Sequence, residues 1–416
     1  MRAWFRPLDG GTAEQMERNR WKSGRIDRLG SAIFAEVAAW KEKARQSGID
    51  VIALDIGSPD QAPAQAVRES LAAAAMKPDV YRYPGTEGSA RFRDTVARWF
   101  QHRFGVALDP THEVLALMGT QDGLAHLALA ITDPGDAALL PDPGYPVYGA
   151  GLAVAGVEAV PLPLSAADGY LPDFDAVPDA VWARVKFMIL NYPGNPLSAV
   201  ADLAFFERAV AVARRRGVLL VHDNAYSEMA FDGFVPPSVL QVPGASDVAV
   251  EFHSLSKSFH LAGTRLGYAG GNREALASLR ALKNNIDFGV FLGVQEAGIT
   301  ALEMDMAGGG PGRVAGLYQR RRDVFVAGLR AADWQVPLPA ATMFLWAKLP
   351  AGWTSSRQFA RELLARTGVA CIPGSAFGER GEGYVRLALV ESEQRLEEAA
   401  RRIGEFLSSN VEGNEA

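Results

Sequence analysis

The chain has 416 residues, 48% of them hydrophobic and 22% charged, with a net charge of −6. This is the balance of a globular protein with a large core and room for two or three domains, and the acidic charge gives no reason to expect nucleic acid or an anionic membrane as partner. The single cysteine, Cys371, excludes an intrachain disulfide, no apolar run approaches the ~18 residues of a membrane span, and Met1 to Pro7 lack the apolar core of a signal peptide, so a cytoplasmic protein without a membrane partner is expected.

Residues 1–25 are polar and mixed in charge and read as a loosely held arm. Ser31 to Ser47 carries apolar residues at helical spacing, with Ser31 as a possible N-cap and Gly48 as a stop. Val51 to Leu54 reads as a short strand, running into the turn-rich Asp55-Ile56-Gly57-Ser58-Pro59-Asp60. The loop Tyr81 to Gly88 is dense in glycine, proline and aromatics, and a helix over 89–104 follows it. From there the pattern alternates strand and helix. Val114 to Met118 is a strand, and Gly119-Thr120-Gln121-Asp122-Gly123 opens a helix that runs to Ile131. Asp136 to Leu140 is a strand leading to Pro141 and Tyr145. Lys186 to Leu190 is a strand leading to Asn191-Tyr192-Pro193-Gly194-Asn195-Pro196. A helix follows over 205–216. Val218 to Val221 is apolar throughout, as in a sheet covered on both faces, and ends in His222-Asp223-Asn224-Ala225-Tyr226.

Val248 to Phe252 and Gly267 to Gly271 read as two further strands. Two helical segments over 273–302 break near Asp287 to Gly289. Gly308 to Gly312 resembles a linker, and a long helix spans 313–331. The tail reads as strand 343–347, helix 355–366, strands 369–372 and 384–388, and helix 393–406. This pattern predicts a smaller α+β unit packed on a larger α/β one. The expected division is an arm over 1–25, a large domain over 50–310, and a small domain from 26–49 with 311–416.

The densest chemistry lies in His253 to Tyr268. Lys257 follows a buried strand, and a lysine in apolar surroundings is costly unless its charge is removed or paired. Schiff-base formation with pyridoxal 5′-phosphate (PLP) is one way to do this. Ser254, Ser256 and Arg265 offer the hydroxyls and the planar cation that a phosphate wants. The small residues opening the helix at Thr120 would turn free N–H groups toward an anion. Asp223 stands at the carboxyl end of its strand, where α/β ligands bind, although a helix N-cap aspartate reads equally well from the sequence.

The ordered motifs Ile56-Gly57-Ser58-Pro59-Asp60, Tyr83 to Gly88, Asp142-Pro143-Gly144-Tyr145, Asn191 to Pro196, Asp223-Asn224-Ala225-Tyr226, His253 to Tyr268 and Tyr384-Val385-Arg386-Leu387 together resemble the class I/II aminotransferases. These are fold-type-I PLP enzymes, and the resemblance runs from Ile26 to Phe406. It implies an α/β/α sandwich around a mostly parallel sheet, with a smaller α+β domain. It implies that Lys257 forms the Schiff base and carries the proton, that Asp223 pairs with the pyridine nitrogen, and that Tyr226 and Asn195 bond the cofactor's phenolic oxygen. Tyr145 would stack on the ring. Ser254, Ser256, Arg265 and the backbone at Thr120 and Gln121 would hold the phosphate, joined by Tyr83 from the neighbouring subunit of a homodimer. Arg386, helped by Asn195 and Gly57, would clamp the substrate α-carboxylate. No metal is implied. The reaction would move an α-amino group from an amino acid to a 2-oxo acid by a ping-pong course through pyridoxamine phosphate.

Two positions depart from the family pattern, Leu197-Ser198 where Thr-Gly is common and Thr264 where tryptophan often stands. Within the family, Ile33 to Glu36, Gly123 to Leu127 and Asn284 to Phe291 are similar to the branch of LL-diaminopimelate, succinyldiaminopimelate and alanine aminotransferase-like enzymes. No rule picks a second arginine for a distal carboxylate, and His126 and His260 could reach the site, although they read more readily as packing or surface residues. Two alternatives use the same fold: a PLP-dependent C–S β-lyase, and a non-enzymatic PLP-binding regulator. The segment ahead of Ile26 is too short for the helix-turn-helix domain that such a regulator usually adds.

Overall fold

The computed structural model describes residues 21–29, 32–309 and 312–411. Most of the expected arm, the Ser31 cap and part of the glycine linker lie outside them. Among the described residues no helix is long and apolar enough to cross a membrane.

In chain order the helices are α1 (Ala32–Gln46), α2 (Gln65–Ala75), α3 (Ala90–Phe104), α4 (Thr120–Ile131), α5 (Pro146–Ala155), α6 (Asp179–Trp182), α7 (Leu203–Arg216), α8 (Leu255–Ser258), α9 (Arg273–Lys283), α10 (Leu292–Met304), α11 (Gly312–Ala331), α12 (Ser356–Thr367) and α13 (Glu393–Val411). The strands are β1 (Ile52–Ala53), β2 (Val114–Leu117), β3 (Ala137–Asp142), β4 (Glu158–Pro163), β5 (Val185–Leu190), β6 (Leu219–Asp223), β7 (Ala249–Ser254), β8 (Gly267–Gly271), β9 (Phe344–Lys348), β10 (Val369–Ala370), β11 (Ile372–Pro373) and β12 (Tyr384–Ala388).

Seven strands form the central sheet in the order β2-β8-β7-β6-β5-β3-β4. From β7 to β4 every pair is parallel, and only β8 runs against its neighbours. Alternation along each strand feeds two apolar layers. Leu115 and Leu117 of β2 pack with Phe187, Val221 and Phe252 under α4, α5 and α9. Val114 and Ala116 face the other way, with Met188, Leu220 and Ala249, under Phe92, Trp99 and Phe100 of α3 and Phe205 and Phe206 of α7. Local signals set the helix ends. Ser89 Oγ accepts from the Phe92 N–H and Gly105 closes α3 in the left-handed conformation. Asp202 and Gly217 bound α7 in the same way.

A second core gathers Ile52 and Leu54 with Phe325 and Leu329 of α11, Phe344 and Leu345 of β9, Phe359 and Leu363 of α12, and Leu396 and Ile403 of α13. Residues 369–372, expected as one strand, divide at Cys371. β10 pairs parallel with β1, and β11 pairs antiparallel with β12. The expected strand thus serves two sheets.

Candidate active site

Parallel strands place their carboxyl ends on one side of the sheet, and a cleft opens there. The segment after β3 brings Tyr145 to it, β5 leads to Asn191 and Asn195, β6 ends in Asp223, and β7 ends in Ser254. From the loop after β1 comes Gly57, and from β12 comes Arg386. Thr120, Gln121, Tyr226, Ser256, Lys257 and Arg265 complete the expected set lining this cleft. Tyr83 does not join them. It is 87% exposed, and its ring packs 5.8 Å from that of Phe288.

Lys257 sits in the single turn of α8, which Ser254 caps by accepting from the Ser256 N–H at 3.2 Å. Its Nζ donates to the Gly57 carbonyl at 2.5 Å. Burial, with the nearby cations Arg386 and Arg265, lowers its pKa to about 8. Asp223 accepts from the Tyr148 hydroxyl at Oδ2, 2.7 Å away, and its carbonyl accepts from Asn191 Nδ2 at 2.7 Å. Its Oδ1 is buried without a partner. Burial raises the Asp223 pKa, and the Tyr148 hydrogen bond and the charges of His222 and His253 work against that rise.

Beneath Asp223 lies a buried polar network. Glu251 pairs in register with His222 across β6 and β7. Its carboxylate takes hydrogen bonds from His222 Nδ1 at 2.9 Å, His253 Nε2 at 2.5 Å, Ser238 Oγ at 2.8 Å and the Val239 N–H at 2.8 Å. Burial pushes Glu251 up, but the bonds from the two histidines outweigh it and hold the carboxyl well below its usual range.

Arg386 is buried, and stacks its guanidinium 4.4 Å from the Phe344 ring centroid. Nη1 donates to Asn195 Oδ1 at 2.9 Å, and Nη2 donates to the Asp55 carbonyl at 2.7 Å. The main-chain contact to Arg386 therefore comes from Asp55, whereas the Gly57 carbonyl is taken by Lys257. Burial lowers the Arg386 pKa to about 10. Burial also raises the Tyr226 hydroxyl, against a hydrogen bond from Asn195. Arg265 lies over the start of α4. A Cβ on Gly119, whose φ is +76°, would fall 2.5 Å from Arg265 Nη2, so this turn needs glycine twice over.

Two contributors carry no sequence signal of their own, Tyr148 and the ion pair of Lys41 with Asp55 in the same cleft, while Asn191 opens one of the family motifs without a role assigned to it there. Tyr148 stands one helical turn past Tyr145, which was the available clue. His126 and His260 lie outside the cleft. His126 bonds Asp122 at 2.7 Å, and His260 stacks on Tyr318. Asp122, His126 and Asp287 come close enough to suit a metal, but the Lys283 ammonium already bonds both aspartates and offsets one of their two charges. At the departures from the family pattern, Ser198 Oγ bonds Thr342 and the Phe344 carbonyl, and Thr264 bonds the Leu261 carbonyl.

These residues fit PLP on structural grounds. Asp223 Oδ1 is an orphaned buried acceptor awaiting a donor such as a pyridinium N–H. Lys257 is a half-buried lysine with a lowered pKa. Arg265 beside the N-terminus of the 12-residue α4 forms an anion cradle.

Comparison with known proteins agrees. The model of the class I and II aminotransferases matches residues 49–403. The LL-diaminopimelate aminotransferase of Moorella thermoacetica is 45% identical, over 92% of this chain and 97% of that protein. The enzyme of the same name from Gloeobacter violaceus is 42% identical, over 92% and 97%. Among solved structures, a probable N-succinyldiaminopimelate aminotransferase from Thermus thermophilus superposes with a TM-score of 0.85 at 43% identity, covering 90% of this chain and 99% of that one. The sheet order, the cleft chemistry and these likenesses converge: the chain belongs to the class I and II aminotransferases and is a PLP-dependent transaminase.

Proposed function

We propose that this transaminase takes LL-diaminopimelate as amino donor and a 2-oxo acid as acceptor, using the cleft around Lys257. The 45% identity to an enzyme named for that donor, across 92% of the chain, carries the choice of substrate. The convergence of Lys257, Asp223 and Arg386 on one cleft supports the residue roles.

PLP, when bound, supplies an electron sink that stabilises negative charge at the donor Cα. The protein's residues do the rest. Asp223 offers Oδ1 to the pyridine nitrogen, with Tyr148 holding Oδ2. Arg265, Ser254, Ser256 and the N–H groups at Thr120 and Gln121 hold the phosphate. Tyr145 covers the ring, and Tyr226 with Asn195 bonds the phenolic oxygen. Lys257, with a pKa near 8, is partly neutral at physiological pH, so its Nζ would hold PLP through the cofactor's aldehyde and, as a free amine, would take the proton from the donor Cα. Each terminal nitrogen of Arg386 has one N–H engaged and a second to offer the donor α-carboxylate. That grip fixes the direction of the Cα–H bond.

The same reading has a homodimer in the cytoplasm, in which Tyr83 of one protomer reaches the phosphate held by its partner. Its support is the exposure of Tyr83 beside Phe288, which is itself 55% exposed. A monomeric holoenzyme in sedimentation would contradict it. The domain division set out above is supported by the separation of the sheet core from the core of α11, α12 and α13, except that Ile52, Leu54, Tyr226, Met229 and Phe231, counted with the large domain, pack in the second core.

The donor is tested by mixing PLP-loaded protein with single amino acids, diaminopimelate isomers included, and following the change from the lysine-bound to the pyridoxamine spectrum. Conversion by the LL isomer ahead of alanine and aspartate is expected. Conversion by other donors but not by diaminopimelate removes the substrate assignment. Release of pyruvate and ammonia from cystathionine without spectral conversion favours the C–S lyase.

A further inference from the structure

Among the described residues, six charged side chains line the cleft: Lys41, Asp55, Asp223, Lys257, Arg265 and Arg386. The reading above uses four of them, two with the cofactor ring and its aldehyde, one with its phosphate, and one with the donor α-carboxylate. Lys41 and Asp55 remain. Both are 5% exposed, and Lys41 Nζ lies 2.6 Å from Asp55 Oδ2. The walls beside them are apolar, with Phe34 and Ala38 from α1 and Ile372 from β11.

A buried ion pair in such a place is poorly explained by stability. The desolvation of both charges offsets their attraction, and two apolar residues of like volume would serve the core at least as well. This pair is also incompletely satisfied, because Asp55 Oδ1 is buried with no donor. That oxygen is an unused acceptor on a residue that lines the ligand cleft. Asp55 also connects the two halves of the cleft. Its carbonyl holds Arg386 Nη2 at 2.7 Å, while its carboxylate holds Lys41.

We infer that Lys41 and Asp55 are specificity-determining residues that read the far end of the amino donor, Asp55 Oδ1 accepting from a free ammonium group and Lys41 pairing with a carboxylate. The ligand class is a donor whose far carbon bears both an amine and a carboxylate. The inference rests on the diaminopimelate reading and sharpens it. An N-acylated far amine has no cationic donor for Asp55, so the pair favours the free diamine over its N-succinyl form.

The test compares kcat/KM for LL-diaminopimelate, N-succinyl-LL-diaminopimelate and L-norleucine, whose tail is uncharged, in the wild type, Asp55→Asn and the double variant Lys41→Met/Asp55→Leu. The double variant removes both charges together, so it leaves no orphan and keeps the question open to test if Asp55→Asn folds poorly. Melting temperatures of the cofactor-free proteins report folding separately from turnover. The expected result is a loss of about tenfold or more for LL-diaminopimelate, mainly in KM, with norleucine little changed and the wild-type preference for the free diamine reduced. Equal losses for LL-diaminopimelate and norleucine would overturn the inference, since the pair would then act only through Arg386. No loss for any donor would overturn it as well. A wild type inert toward LL-diaminopimelate but active with norleucine fails the donor assignment itself, and the inference with it.

Discussion

Replacing Tyr148 with phenylalanine is the sharpest single test of how the pocket works. Tyr148 is 2% exposed and donates its hydroxyl to Asp223 Oδ2 at 2.7 Å. Among the described residues Asp223 has no other side-chain donor, and the Ala225 backbone is its remaining hydrogen-bond partner. The variant keeps the ring and its packing but strips a buried carboxylate of that donor. A hydrogen bond to a charged group contributes about 1.5–3 kcal/mol, and ~1.4 kcal/mol is tenfold in an equilibrium constant. The cofactor-free Tyr148→Phe protein should therefore bind PLP about ten- to a hundredfold more weakly, to the extent that binding needs Asp223 ionised. The sign with pH follows. Burial already raises the Asp223 pKa and the Tyr148 bond opposes that, so the variant's acid limb of PLP binding must move to higher pH. Titrating the cofactor-free protein with PLP, by absorbance across a pH series, reads both effects. Affinity within twofold of wild type, with an unmoved acid limb, would refute the reasoning.

Arg386→Lys should leave PLP binding intact and lower kcat/KM for amino acid donors by about a hundredfold, because a lysine cannot hold Asn195, the Asp55 carbonyl and a carboxylate together; unchanged donor kinetics would move the carboxylate clamp elsewhere. Glu251→Gln should destabilise the fold by about 3–5 kcal/mol in denaturant titration, since a buried charged network loses its centre; a change under 1 kcal/mol would argue against an ionised Glu251. Lys257→Met should raise the stability of the cofactor-free protein near pH 7. The folded pKa of Lys257 is about 8 and the ordinary value is 10.5, so its protonated form costs the fold stability, fully below pH 8 and progressively less as pH rises toward 10.5. The gain is on the order of 1–3 kcal/mol, reduced by the lost bond to Gly57, and it should shrink in melts run at high pH. A gap that widens with pH would contradict the assignment.

Much of this architecture could be read from residue patterns where burial is uniform or a cap is explicit. β6 opens on an apolar run, Leu219 to Val221, because helices cover both faces of the sheet. α3 declares itself through Ser89, Gly105 and its apolar stripe. Segment 146–163 was opaque for two physical reasons. The ten residues of α5 contain no charged residue to mark a polar face, so no helical period emerges. β4 carries Pro161 and Pro163, which argue against a strand except at a sheet edge, and the edge is where β4 lies. The same holds in the cleft. Lys257, Asp223 and Arg386 sit in local motifs that advertise them. The Tyr148–Asp223 contact spans 75 residues of chain, and the Lys41–Asp55 pair exists only once α1 docks beside β1. Tyr83, exposed on the single chain, needs a second protomer to have a cofactor role.

The assignment of Lys257 as the covalent anchor is the claim on which the other roles depend. Reducing the PLP-loaded protein with borohydride, digesting it and locating the added pyridoxyl mass by mass spectrometry tests it directly. The account predicts the adduct on the peptide containing Lys257, and no adduct in Lys257→Ala. A pyridoxyl mass on any other lysine, or a Lys257→Ala protein that keeps both the adduct and full turnover, would contradict it.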